Sequence, residues 1–270
     1  METLLKITLL FFSLSFLSLP SNGQNEGLKT KTIERNTVKI NNELYCSAFE
    51  VTNSQYSLFL EDLIENKITT DIEKAQVDSL QWRNIHTYNE PFVTYYHRHP
   101  AYDQYPVVNI SYEGASLYCQ WLTEQYNSSK KRKFEQVLFR LPTEAEWIQA
   151  AKGGDPQAQY PWKGNELINA KGLLLCNFIR NSNDSMGVAG TLSDNADITA
   201  PVDAYWPNGY GIYNMSGNVA EMIAEKGKTM GGSWLDTGET MKIGSVGKFS
   251  HYETPLPTIG FRYVMEVMEK

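Results

Sequence analysis

"NGYGIYNMSGNVAEM", residues 208–222, sets three glycines and three asparagines among aromatic and aliphatic residues and then reaches Glu221. Glycine and asparagine accept backbone conformations that helices and strands do not use. The run therefore predicts irregular backbone whose peptide groups are not paired in a ladder. If such a segment is buried, those groups must be met by side chains, water or an ion. A hard cation such as calcium takes roughly 6–8 oxygen ligands, carbonyls included, so an Asn/Gly loop closing on a carboxylate is chemically apt for one. A plain turn is the competing reading.

The same character extends outward. From about Gly154 to the C-terminus, Gly, Asn, Asp and Pro recur every few residues and no long helical or strand period is held. The first half differs. "TVKINNELYCSAFEV" (37–51) alternates enough for one or two strands, and Thr52 with Gln55 then forms a capping box, Val51 and Tyr56 standing as a hydrophobic staple. Phe59, Leu60, Leu63 and Ile64 continue the apolar stripe, and Thr70 with Glu73 repeats the cap signal. Ser111 is placed to cap a helix whose Ala115, Tyr118, Cys119, Leu122 and Tyr126 share one face. Thr143 and Glu146 make a further box, and Gly153-Gly154 end that helix.

Bulk properties narrow the function classes. At 270 residues and 41% hydrophobic the chain can bury a substantial core, and one large domain is the default. A net charge of −7 leaves no broad cationic surface, and "SSKKRKFEQ" (128–136) is too short to change that, so nucleic acid is excluded as the main partner. Lys6, the apolar run 7–19 and the small residues around Ser21 and Gly23 read as a signal peptide (1–23) cleaved after Gly23. Residues 24–44 then form a leader and first strand region ahead of the domain proper, 45–270. No later segment approaches the length of a transmembrane span. A periplasmic or secreted protein is expected, without a lipid anchor, because the first cysteine is Cys46. Cys46, Cys119 and Cys176 allow at most one intramolecular disulfide, and buried small hydrophobes are the plainer reading.

Several strings then coincide in order: "FEVTNSQYSLFL" (49–60), "YPVVNISYEGASLYCQWL" (105–122), "RLPTEAEWIQAA" (140–151), "YPW" (160–162), "PVDAYWPNGYGIYNMSGNVAEM" (201–222), "MGGSW" (230–234) and "GFRYV" (260–264). Together they resemble the sulfatase-modifying-factor domain family, which contains the formylglycine-generating enzymes. The resemblance implies a single compact α+β domain related to the C-type lectin fold and poor in regular secondary structure. It also implies two structural calcium sites. One maps to Asn214 and Glu221 through side-chain oxygens, with Gly217 and Val219 through carbonyls. The other maps to Asn177, Phe178, Asp194 and Ala196, again two side chains and two carbonyls. Water and hydrogen bonds filling the same places are the alternative. Sequons stand at Asn109, Asn127, Asn183 and Asn214, and a buried ligand cannot carry a sugar.

The family's oxidases hold copper on two thiolates shortly after the GGS motif. Soft thiolates suit Cu(I), and a carboxylate with a lone thioether cannot replace the pair. In "GGSWLDTGETMKIGS" (231–245), Asp236 and Met241 stand at those positions, and no cysteine follows Cys176. Copper is therefore not expected and no catalytic residue is assigned. A family cysteine that would pair with Cys119 is replaced by Tyr263. An iron-using branch with three histidines prompts attention to His86, His97, His99 and His251. An H-x-H pair on a strand would present both rings to one face, but His99-Pro100 points to a turn.

"LQWRNIHTYNEPFVTYYHRHPAYDQYPVV" (80–108) is similar to an insertion in the gliding-motility and type IX secretion lipoproteins that carry this domain. The expectation is a noncatalytic, calcium-stabilised envelope binding or assembly protein, with envelope proteins or exported peptides as partners. The alternatives are an oxidoreductase that acts on exported peptides without paired thiols, and a glycan- or peptide-binding module.

Overall fold

The computed structural model describes residues 29–85, 88–179, 198–247 and 249–269. Helix α1 (Thr30–Arg35) leads into strands β1 (Thr37–Lys39) and β2 (Leu44–Ser47). Helices α2 (Asn53–Glu65), α3 (Thr69–Ala75), α4 (Glu90–Tyr95) and α5 (Tyr112–Ser128) follow, then strand β3 (Gln136–Arg140) and helix α6 (Glu144–Ala151). Beyond α6 the regular pieces are short strands, β4 (Ala220–Met222), β5 (Thr229–Met230) and β6 (Ile259–Gly260), before β7 (Val264–Glu269).

The strands form a four-stranded antiparallel sheet, β1-β2-β7-β3, and a small three-stranded sheet, β5-β4-β6, in which β4 and β6 run parallel. The last strand of the chain thus sits inside the larger sheet. Alternation sorts its faces: Tyr45, Val137, Phe139, Met265 and Val267 pack toward α2 and α5, while Leu44, Cys46 and Val264 pack toward α6 through Trp147 and Ala151. The free edge of β3 is closed by α5. Asn127 exchanges hydrogen bonds with both backbone groups of Val137, and the Thr123 hydroxyl accepts from the Phe139 N–H. Those groups, open at most sheet edges, are spent here on side chains.

Helix starts follow the expected caps. The Thr52–Gln55 and Thr143–Glu146 boxes are both reciprocal, and Ser111 accepts from the Gly114 N–H. Each satisfies N–H groups that a helix start leaves unpaired. All five residues expected on the inner face of α5 are buried. Two expectations fail. The helix after Ile68 begins at Thr69 without a side-chain cap, two residues earlier than the Thr70–Glu73 signal requires, because Ile68 occupies the cap position. Ile64 is 60% exposed, since Phe59 and Leu63 already fill the interface of α2 with the core. The stretch read as a polar leader contains α1, anchored by buried Ile33 and by a Thr30–Ser129 hydroxyl contact. The predicted signal peptide lies outside the described residues.

Candidate functional site

The 208–222 run folds as a loop pressed into the protein, ending in β4. Asn214 and Asn218 both take positive φ, at 53° and 62°, and Gly217 lies at 77°. A Cβ on Gly217 would run into the Asn177 carbonyl, so the loop closes on residue 177 only because position 217 is glycine. The contact is fixed by the Asn218 N–H donating to the Asn177 carbonyl. Behind it runs the 231–241 segment: the Gly217 N–H donates to the Gly231 carbonyl, the Trp234 N–H to the Asn218 carbonyl, and the Ser216 hydroxyl to the Met241 carbonyl.

Glu221 is fully buried and its carboxylate is bound on both oxygens. Arg262 donates through Nη2 to Oε1 at 2.5 Å and through Nε to Oε2 at 2.6 Å, and Trp147 Nε1 donates to Oε2 at 2.6 Å. Arg262, also fully buried, spends its other donors on the Ser47 and Tyr213 carbonyls at 3.0 and 2.8 Å. One guanidinium thereby ties β2, the loop and β4 together. A second buried carboxylate, Glu50, meets the loop from the other side. Its Oε1 accepts from Asn218 Nδ2 at 2.8 Å and its Oε2 from Asn214 Nδ2 at 3.0 Å. Burial raises the Glu50 pKa, with Arg262 acting in the opposite direction. Asn218 Oδ1 accepts from the Ala200 N–H and from Asn177 Nδ2, which also donates to the Ile198 carbonyl.

After these pairings one side-chain acceptor is left over. Asn214 Oδ1 is buried with no partner among the described residues. The Gly217 and Val219 carbonyls likewise accept no backbone hydrogen bond among the described residues. Asn214, Gly217, Val219 and Glu221 therefore share one loop, and three of them keep an uncommitted oxygen, the donor type a hard cation takes. Of the other expected quartet, Asn177 and Phe178 are buried beside this loop, whereas Asp194 and Ala196 lie outside the described residues. No group of three or more His, Cys, Asp or Glu side chains that could hold a metal gathers among the described residues.

The positions expected to hold copper thiolates are filled by other chemistry. Asp236 is 2% exposed and its Oδ2 accepts from the Ser233 N–H and hydroxyl. Met241 is fully buried in an apolar cluster with Tyr160, Leu174, Cys176 and Phe178. Cys46, Cys119 and Cys176 are all buried and unpaired with one another. Burial pushes the Cys46 thiol up to about 12 and the Cys119 thiol higher still, which leaves them as thiols at neutral pH. Nor does the histidine pair form a site. His97 and His99 follow α4 in a turn, where His97 Nδ1 meets Asn53 Oδ1 at 3.0 Å and His99 Nδ1 accepts from the Ala101 N–H. His86 lies outside the described residues.

Comparison with known proteins places this arrangement. The profile of the sulfatase-modifying factor enzyme 1-like domain matches residues 19–267. The chain belongs to this family. Formylglycine-generating enzyme from Thermomonospora curvata is 42% identical over 121 residues, which are 45% of this chain and 33% of that protein. Inactive C-alpha-formylglycine-generating enzyme 2 from Bos taurus is 27% identical over 201 residues, 68% of this chain and 57% of that protein. The chain thus spans a third to little more than half the length of these relatives. The crystal structure of CarF superposes with a TM-score of 0.51 at 21% identity, covering 83% of this chain and 86% of that one, which establishes the shared fold. No helix among the described residues is long and apolar enough to cross a membrane.

Sequence reading missed Glu50, Trp147, Asn218 and Arg262 as site residues. Glu50 and Arg262 stood inside quoted motifs, and a charged residue flanked by apolar neighbours in "FEV" and "GFRYV" was the available signal of a buried ion pair.

Proposed function

We propose that this chain is a noncatalytic member of the family, exported and stabilised by calcium, serving in binding or assembly at the cell envelope. The observation that carries the reading is the pair Asp236 and Met241. One is a buried carboxylate committed to its own turn and the other a thioether sealed in an apolar cluster, at positions that the family resemblance assigns to copper thiolates. No rearrangement of side chains alone would bring two of the three buried cysteines there, since Cys46 lies on β2, Cys119 on α5 and Cys176 in the loop before Asn177. A relative whose name marks it inactive supports the idea that the fold persists without the oxidation chemistry.

Calcium, with Asn214, Gly217, Val219 and Glu221 as ligands at one site and Asn177, Phe178, Asp194 and Ala196 at the other, would supply positive charge and oxygen coordination to the irregular half. Arg262 and Trp147 would hold the Glu221 carboxylate in place. The predicted signal peptide supports export, and the likeness of residues 80–108 to an insertion in gliding-motility and type IX secretion lipoproteins supports envelope proteins or exported peptides as partners.

The test is to load the purified protein with Cu(I) and offer it a cysteine-containing peptide. The expected result is no stoichiometric copper uptake and no conversion. Copper binding with conversion of the peptide would overturn the noncatalytic reading in favour of an oxidoreductase. Recovery of a multi-protein envelope complex from the native host would support assembly, and specific capture of a single glycan or short peptide would replace it with a binding module.

A further inference from the structure

Read along the chain, the basic run in "SSKKRKFEQ" is short, but in the fold it does not stand alone. Helix α1 packs against it: the Thr30 and Ser129 hydroxyls meet at 2.7 Å, and the Glu34 carboxylate accepts from the Lys133 N–H at 2.6 Å and from the Tyr126 hydroxyl at 2.7 Å. Thr30 and Ile33 are the buried side of α1, so Lys31 and Arg35, one turn apart, share an exposed flank. Arg132 braces the neighbouring turn by donating to the Ser129 and Glu135 carbonyls, and Lys130, Lys131 and Lys133 stand exposed around it. Two segments almost a hundred residues apart in sequence thus present their cations side by side.

Residues 29–35 and 129–135 hold seven Lys or Arg against two Glu, and one of the two, Glu34, is turned inward onto Lys133 N–H and Tyr126. Lys31, Arg35, Lys130, Lys131 and Lys133 form no ion pair among the described residues. The whole chain carries a net charge of −7, so this face opposes the sign of the rest of the molecule. Such a charge distribution orients a protein at an anionic surface, which attracts the one face and repels the others.

The surroundings narrow the occupant. Neither segment carries an exposed large apolar side chain among the described residues, and Ile33 and Phe134 are buried. A protein interface is anchored by aromatic or apolar residues at its centre, and a single-stranded nucleic acid by aromatic rings on which bases stack. A layer of lipid phosphates needs neither, only several cations within about one Debye length, ~10 Å, of the headgroups.

We propose that the face formed by α1 and the 129–133 turn docks peripherally on the phosphate headgroups of an anionic bilayer, through Lys31, Arg35, Lys130, Lys131 and Lys133 and without insertion of the chain. The inference rests on the envelope reading above, which supplies the membrane as the surface at hand, and it involves neither the calcium sites nor the copper positions.

The test is co-sedimentation of the protein with vesicles of phosphatidylcholine and phosphatidylglycerol at a ratio of about 2:1, against vesicles of phosphatidylcholine alone. Wild type should sediment with the mixed vesicles only, and about 1 M salt, where the Debye length is about 3 Å, should release it. The triple variant Lys31→Gln/Lys130→Gln/Lys131→Gln should partition at least about tenfold less, since each cation near the surface adds to the attraction. Lys163→Gln/Lys171→Gln/Lys242→Gln makes the same change of net charge at exposed positions away from this face and should bind as wild type does. No binding of wild type to the mixed vesicles overturns the inference, as do equal losses in the two variants or binding to phosphatidylcholine alone. Retention on immobilised polyglutamate or single-stranded DNA without vesicle binding replaces the bilayer with that partner. If the first variant does not fold, amine acetylation of wild type decides: the mixed vesicles should shield Lys31, Lys130 and Lys131 while Lys163 and Lys171 go on reacting, and uniform labelling overturns the proposal. None of these failures touches the noncatalytic reading, which copper uptake and peptide conversion judge separately.

Discussion

Arg262 and Glu221 form a two-point ion pair with no solvent contact, guanidinium nitrogens at 2.5 and 2.6 Å from the two carboxylate oxygens. The pair joins the GFR motif near the C-terminus to the end of the glycine/asparagine run, and through Ser47 and Tyr213 it reaches β2 and the loop. Removing one partner leaves the other charged and buried, at a cost of about 3–5 kcal/mol. Arg262→Met and Glu221→Gln should each lower the unfolding free energy by an amount of that order in urea titrations. The double variant should be less damaging than the sum of the two, because no lone charge remains. Single-variant losses below about 1 kcal/mol would contradict the buried pairing.

A consequence concerns calcium. Glu221→Gln disturbs Arg262 whether or not an ion is bound, so it cannot isolate the cation. Chelation can. A ligand present at ~100 times its dissociation constant stabilises by about 2.7 kcal/mol, and removing it should lower the melting temperature of wild type. Melting curves that coincide in calcium and in chelator, after metal analysis confirms removal, would count against both proposed sites.

The thiols should be silent in the native state. Cys46, Cys119 and Cys176 are buried, and desolvation holds the first two in the protonated form. A chromogenic disulfide reagent should find no reactive thiol in the folded protein and all three in denaturant. Rapid reaction of any one under native conditions would show that its cover opens.

His97 should contribute an acid sensitivity that begins near pH 6.5. Burial lowers the His97 pKa from 6.5 to about 3, so the unfolded chain binds more protons than the folded one across that interval. The contribution of neutral His97 is complete above pH 6.5 and is lost as pH falls toward 3. Glu146, held down to about 2 by Arg140, adds a second loss that starts near 4.5 and runs through 2. Because burial of Glu50 acts in the opposite direction over part of this range, the readout is the difference: urea midpoints of wild type should fall relative to those of His97→Gln as pH drops from 6.5 to 4.5. Parallel curves would remove His97 as the cause.

The two capping boxes invite a simpler measurement. Thr52→Ala and Thr143→Ala each remove an acceptor for a helix N–H, worth about 1 kcal/mol. The larger loss is expected at Thr52, which is buried and bridges to Pro106, whereas Thr143 is exposed. Equal losses at the two sites would show that the bridge adds nothing.

Local chemistry was readable in the chain. Caps at Thr52, Ser111 and Thr143, the inner stripe of α5 and the irregular second half depend on neighbours within a few residues, where spacing is enough. The ordered motifs carried the family, and the absence of a cysteine after Cys176 was visible by inspection. Strand β7 was not legible as a central strand: its alternation is short, and its partners β2 and β3 lie more than a hundred residues away in sequence. The site behaved the same way. Asn214 and Glu221 could be named from the loop, but Glu50 acts on Asn214 across 164 residues and Arg262 on Glu221 across 41.

The amino-acid sequence by itself determined which segments turn, cap or bury a face, because those outcomes depend on short-range sterics and hydrogen bonding. Only the tertiary structure decided which carboxylate takes the buried guanidinium and which amide oxygen is left without a partner. Those are matters of charge and hydrogen-bond accounting in a space closed to water, and that space exists only once distant parts of the chain have packed together.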